Sequence, residues 1–197
     1  MSDSAISQSN RVFDIADELP QELKSATRLF SKFVSRQGEF NSEGEFQLDW
    51  QKLGAAINAL DNEVMFDRYC NTTITETKET LQNLARKVIQ AMSGDLRLSL
   101  ATTETDLLTD KVASTLNERI EWKTGVVSAE YKLLHARPIP DDPDYMQTLV
   151  VTIMLSTTMT QKHNWFGYKT TKQDFCANVK AMKVTLSKDF GRAAIKK

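Results

Sequence analysis

Hydrophobic side chains recur along this chain in two rhythms. In the first half they fall at three- and four-residue steps. Leu19, Leu23, Ala26, Phe30 and Phe33 form one set, and Phe46, Trp50, Leu53, Ile57, Leu60 and Val64 another. Each set lines one face of a helix. Pro20 stands near the start of the first, where its missing N–H costs little, and Gly38 is placed to end it. Residues 38–45, with two glycines and three acids, predict a loop. Thr73 with Glu76 has capping-box spacing and opens a third predicted helix carrying Ile74, Leu81, Leu84, Val88 and Ala91. Ser93 and Gly94 would close it.

Beyond Gly94 the period shortens. Leu96, Leu98 and Leu100 alternate with polar neighbours, as a short strand does. Thr103 and Asp106 then open a helix bearing Leu107, Leu108, Val112 and Leu116. Ile120 and Trp122 alternate, and Val127, Ala129, Tyr131, Leu133 and His135 alternate on the opposite parity. A hairpin turn or a bulge at Thr124-Gly125 would produce that switch. The proline-rich residues 138–144 predict a loop. Leu149, Val151, Ile153 and Leu155 face one way, with Val150 and Met154 on the other side, so this strand is expected in the middle of its sheet. Finally Thr171 and Asp174 offer a capping box ahead of Phe175, Val179, Met182 and Leu186.

The fold class read from these elements is α+β. N-terminal antiparallel helices are followed by a small, mainly antiparallel sheet of two to four strands, with a C-terminal helix. Residues 1–18 are expected to be a flexible N-terminal segment and residues 19–190 a single α+β domain. Within it, 19–93 form the helical half and 94–190 the strand-containing half. Residues 191–197 form a basic tail.

Composition supports a globular domain: 197 residues, 41% hydrophobic, with seven glycines and four prolines. Charge changes the picture more. From residue 160 onward nine Lys or Arg stand against two acids, a balance of +7, while the first 159 residues hold 16 basic and 24 acidic side chains, a balance of −8. Asymmetry of this kind bears on partners rather than on fold. The polar N-terminus MSDSAISQSN has no basic and apolar leader pattern, and no apolar run approaches the roughly 20 residues of a spanning helix. A cytoplasmic protein without an integral membrane segment is therefore expected. Cys70 and Cys176 stand far apart and read as free thiols.

Chemistry is sparse. The two histidines, His135 and His163, lie in no catalytic motif, and no GxSxG, HExxH, GxGxxG or P-loop pattern occurs. Asp141, Asp142 and Asp144 cluster in the Pro-framed loop, but EF-hand spacing is missing and a solvated turn is expected. No cofactor or metal is expected, and the chain reads as non-enzymatic. The best remaining signal is the segment KHNWFGYKTTK, residues 162–172, which mixes cations with aromatic planes and holds no acid. Lys162, Trp165, Phe166, Tyr168, Lys169 and Lys172 are its partner-binding candidates. Such a mixture suits a protein hot spot, a membrane interface or a nucleic acid.

The function these features favour is an interaction or assembly protein, the basic and aromatic segment contacting an acidic protein surface, including the acidic body of another copy. A nucleic-acid-binding coat or packaging protein is the first alternative, although the acidic body repels a polyanion. A small-ligand protein or enzyme, with a pocket lined by Trp122, Tyr131 and His135, is the second.

Overall fold

Four strands of 14 to 17 residues set the architecture of the computed structural model. It describes residues 14–15, 21–42, 44–60, 63–119, 121–123, 126–157 and 172–191. In chain order the elements are β1 (Asp14–Ile15), α1 (Gln21–Ser35), β2 (Gly38–Phe40), β3 (Phe46–Leu48), α2 (Trp50–Asn58) and β4 (Val64–Thr80). Then follow α3 (Leu81–Leu96), α4 (Thr102–Glu118), β5 (Glu121–Lys123), β6 (Val126–Ile139), β7 (Asp142–Thr157) and β8 (Lys172–Ser187).

One six-stranded sheet has the order β1-β6-β7-β8-β4, with β5 pairing β6, and β2 and β3 form a separate antiparallel hairpin. β7 thus has a long partner on each side. That placement satisfies its backbone where Leu149, Val150, Val151 and Ile153 are all buried in succession.

Contacts divide the chain into two compact units. The first comprises Met1–Asp67, Lys132–Val150 and Lys183–Lys197, the second Arg68–Tyr131 and Val151–Met182. In the first unit α1 buries Leu23, Ala26, Phe30 and Val34. Phe30 packs against Phe33 and Phe190 at centroid distances of 5.9 and 5.5 Å. α2 starts at Asp49, whose carboxylate accepts from the Gln51 and Lys52 amides, and buries Leu53 and Ile57. Gly38 lies so close to the Gln47 carbonyl across the hairpin that any Cβ would collide with it. Even-numbered positions of the long strands, such as Leu134, Met146, Thr148, Val184 and Leu186, are buried in this unit.

In the second unit the buried parity is odd: Ala129 and Tyr131, Val151, Ile153 and Leu155, Phe175, Ala177 and Val179. α3 contributes Leu81, Leu84, Val88, Ile89 and Met92, and α4 contributes Leu108, Val112 and Leu116. An Arg86–Asp106 ion pair at 3.1 Å and a Gln82–Asp110 hydrogen bond tie the two helices side by side.

The expected fold class needs correction. The sheet has six strands rather than two to four, strands precede and interleave with the helices, and the segment expected as the C-terminal helix is a strand: residues 172–187 are β8. Phe175, Val179, Met182 and Leu186 fit a helical spacing, but Phe175, Ala177, Val179 and Ala181 also fit a strand. Pairing with β7 and β4 decides between them. Residues 73–80 are likewise not helical. They complete β4, and the helix cap is Thr80, whose hydroxyl accepts from the Asn83 amide at 3.2 Å. The Leu96–Leu100 strand is absent, since Leu96 closes α3 and Arg97 adopts a left-handed φ of 51° behind it. The loop expected over 38–45 is in part the β2–β3 hairpin.

Phe30 is fully enclosed and ringed by aromatic partners, so Phe30→Ala should destabilise the protein by about 3–5 kcal/mol. A urea titration of the variant against the parent measures it; a loss below about 1 kcal/mol would mean that the Phe30–Phe33–Phe190 cluster is not part of the core.

Candidate interaction surface

Of the six residues expected to contact a partner, Lys162, Trp165, Phe166, Tyr168 and Lys169 lie outside the described residues. Lys172 is the exposed first residue of β8. It opens a strand rather than the expected helix. Along β8 in the second unit, Lys172, Asp174, Asn178 and Lys180 project outward, alternating with the buried Phe175, Ala177 and Val179.

The remaining cations of the C-terminal part divide. Lys183 is buried in the first unit, its ammonium 2.7 Å from the Asp67 carboxylate. Lys188 pairs with Asp144, and its backbone N–H also donates to the Asp144 carbonyl at 2.9 Å. Both neutralise acids of their own chain. Arg192, Lys196 and Lys197 fall outside the described residues. The Asp141–Asp144 cluster is accounted for by the turn and strand start: Asp142 accepts from the Asp144 amide at 3.2 Å, while Asp144 holds Lys188. Among the described residues no group of His, Cys, Asp and Glu could hold a metal ion.

Tyr131 is buried in the second unit with the Arg119 guanidinium 5.4 Å from its ring centre, whereas His135 is half-buried in the first. The Trp122 side chain is outside the described residues.

Sequence reading overlooked β4. It is the terminal strand of the sheet order, 17 residues long. In the second unit its odd-numbered side chains, Tyr69, Asn71, Thr73, Thr75 and Thr77, are exposed. The even-numbered Arg68, Cys70, Thr72, Ile74 and Glu76 are buried or half-buried. Five threonines between Asn71 and Thr80 were the available signal, since β-branched residues favour strands.

α3 anchors over this strand. Lys87 reaches Glu76 at 2.6 Å and Glu79 at 3.6 Å. The Glu76 hydrogen bond holds the Lys87 ammonium above its ordinary pKa, and an Asn83 hydrogen bond holds Glu79 below its own. The Cys70 thiol donates to Asp95 at 3.2 Å. Burial first, and then the Asp95 carboxylate, push that thiol from its ordinary 9.0 up to about 12. Large apolar side chains are exposed in each unit: Phe40, Met65 and Phe66 in the first, Tyr69, Leu107 and Met154 in the second.

No family model matches this chain, and no curated protein matches it in sequence. Solved structures do. A delta-endotoxin superposes with a TM-score of 0.69 at 14% identity, over 89% of this chain and 81% of its own. The activated Cyt2Ba monomer from Bacillus thuringiensis subsp. israelensis superposes at 0.65, also at 14% identity, over 89% of this chain and 97% of its own. The chain has the fold of these proteins, in which helices and strands interleave around a sheet, and this overturns the expected helices-then-sheet order. The described residues contain no helix long and apolar enough to cross a membrane.

Two outcomes follow for β4 and β8. At pH 8 an alkylating reagent should label half-buried Cys176 well before Cys70, which should react only on unfolding. The stability held by the neutral Cys70 thiol is complete below pH 9 and is lost as pH rises through about 12; equal labelling rates for the two thiols would contradict this. Asp67→Ala should cost about 1–3 kcal/mol in a urea titration, since it strands the enclosed Lys183 ammonium. No loss would mean that the ammonium reaches water.

Proposed function

We propose that this protein works by physical association rather than by chemistry: it docks on a lipid membrane and assembles there with further copies of itself. The observation that carries the reading is the length of its strands. β4, β6, β7 and β8 run 17, 14, 16 and 16 residues. Strands of globular proteins centre near 5–6 residues, and a strand crossing a bilayer needs about 9–11. Each long strand here exceeds that span. A fold shared with a delta-endotoxin supports a toxin-like role for this chain as well.

The docking contact in this proposal is the segment of Lys162, Trp165, Phe166, Tyr168, Lys169 and Lys172. Trp and Tyr favour the headgroup region of a bilayer, and lysines beside them are drawn to anionic lipid. Exposed Lys172 and Lys180 on β8 would add to that field. An acidic protein surface, including the −8 body of another copy, offers the same electrical complement. The aromatic content and the strand lengths favour lipid as the first contact.

Vesicles loaded with a fluorescent dye test this. The protein should bind vesicles containing anionic lipid and release the dye, and Trp165→Ala with Phe166→Ala should weaken binding about tenfold. Folded protein that neither binds nor permeabilises anionic or zwitterionic vesicles would end the membrane reading. If it instead forms salt-sensitive oligomers in solution, the acidic surface it seeks is its own.

A further inference from the structure

We infer that the edge of β4 pairs with the β4 edge of a second copy, antiparallel and centred on Thr72, so that two sheets join into one. This rests on the assembly part of the proposed function and names the surface that performs it.

Among the described residues β4 closes one end of the sheet order, and a strand in that position carries backbone N–H and C=O groups directed away from its neighbour. Such an edge is a template for another strand. The sheet's other end is β1, of two residues, too short to serve. Natural edges are blunted by brevity, proline or bulges, and β4 has 17 residues and no proline. One irregularity does occur: Lys78 takes a left-handed φ of 55° and donates its N–H to the Asp174 side chain at 2.9 Å. That bend limits the regular edge of the second unit to residues 68–77.

Within this stretch the charges select a register. Arg68 and Glu76 are its only ionisable acid–base pair, and Thr72 lies midway between them. Antiparallel pairing about Thr72 sets Arg68 of each copy opposite Glu76 of the other, giving two opposite-charge pairs related by a two-fold axis. Sliding one strand by two residues, to centre on Thr73, carries Arg68 beyond the regular edge to the bend at Lys78 and leaves Arg68 and Glu76 unmatched. Centring on Asn71 sets Arg68 opposite Ile74 and leaves the charges unmatched. Opposite charges directly across a pair stabilise it, and like charges oppose it.

The other facing residues are compatible with the Thr72 register. On the exposed parity Tyr69 faces Thr75 and Asn71 faces Thr73; on the other, Cys70 faces Ile74. Aromatic–β-branched and hydroxyl pairs are favourable cross-strand neighbours. Glu76 already accepts from Lys87 through Oε2, and its carboxylate retains further acceptor sites for an incoming guanidinium. A whole-register shift by one residue is disfavoured, because it would bring the buried parity of one copy beside the exposed parity of the other.

Cysteine scanning reads the register directly. Facing Cα atoms in an antiparallel pair are about 4.5–5.5 Å apart, within disulfide range. Single variants Asn71→Cys, Thr72→Cys, Thr73→Cys and Thr75→Cys are treated with mild oxidant in solution and on vesicles. Dimer formation is followed on non-reducing gels beside the parent protein, whose own thiols set the background. Thr72→Cys should give the most dimer, and Thr75→Cys, about six residues from its twin, should give only background. Adding Arg68→Glu to Thr72→Cys should lower the yield about fivefold by placing like charges across both pairs. Circular dichroism confirms that each variant folds. A maximum at Thr73→Cys or Asn71→Cys, or equal yields at all four positions, overturns the register. Dye release without any cross-link overturns β4 pairing while leaving membrane action standing; cross-linking without dye release does the reverse.

Discussion

A strand buried on both faces has no solvent to complete its hydrogen bonds, and this constraint organises the molecule. From Leu149 to Ile153 every side chain of β7 is buried. Its backbone must therefore be paired on both sides, by β6 and β8. Those neighbours inherit the length of β7, and covering the alternate faces takes apolar side chains on both parities. In the second unit the odd positions of β6, β7 and β8 meet this demand, and in the first unit the even ones do. A single strand carries both assignments, which explains why Ala181, Met182, Lys183 and Val184 of β8 are buried in a row.

Polar groups sit where that demand relaxes. Lys183 falls within the enclosed part of β8, and its charge is tolerable because Asp67 of β4 stands 2.7 Å away. β4 itself, as the last strand, has one parity facing outward, and there the sequence turns to threonine and asparagine. Its other parity lies close to α3, and the links are polar: Lys87 with Glu76 and Glu79, and Cys70 with Asp95. The strand is thus fastened by its neighbour β8 and by α3 while its outer parity stays polar.

Helices α1 and α4 were legible because their apolar spacing fits no other element over ten or more residues; α2 was legible only in its middle, since Phe46 and Val64 at the ends of its expected stripe belong to β3 and β4. β7 was legible because apolar residues on both parities fit only a central strand. The failures share a physical cause. Phe175–Leu186 and Thr73–Leu84 satisfy helical and strand periods at once, and what separates the two is pairing with residues roughly 20 to 110 positions away. Thr73 with Glu76 has capping spacing, but a threonine-rich run of β-branched residues beside a strand partner prefers the sheet. The Thr73 hydroxyl bonds to Asn178, a contact no local rule anticipates. The candidate contact segment was legible as composition alone, and five of its six residues lie outside the described part of the chain.

The division of charge along the sequence looks different once the fold is known. Two cations of the C-terminal part, Lys183 and Lys188, meet Asp67 and Asp144 of the acidic body within their own unit. Removing one matched pair at a time lowers the positive count of the end and the negative count of the body equally. From +7 and −8, two such pairs leave +5 and −6. These two pairs diminish the asymmetry without removing it. Lys172 and Lys180 on β8 alternate with buried apolar residues, so strand geometry alone holds them outward. A field of this kind steers approach over about a Debye length, near 8 Å at physiological salt. It acts before contact, whereas lasting association needs groups that interlock at closer range. Backbone edges and cross-strand pairs supply such groups, so in the proposed assembly charge and the β4 edge would serve successive stages of one encounter rather than compete as explanations of it.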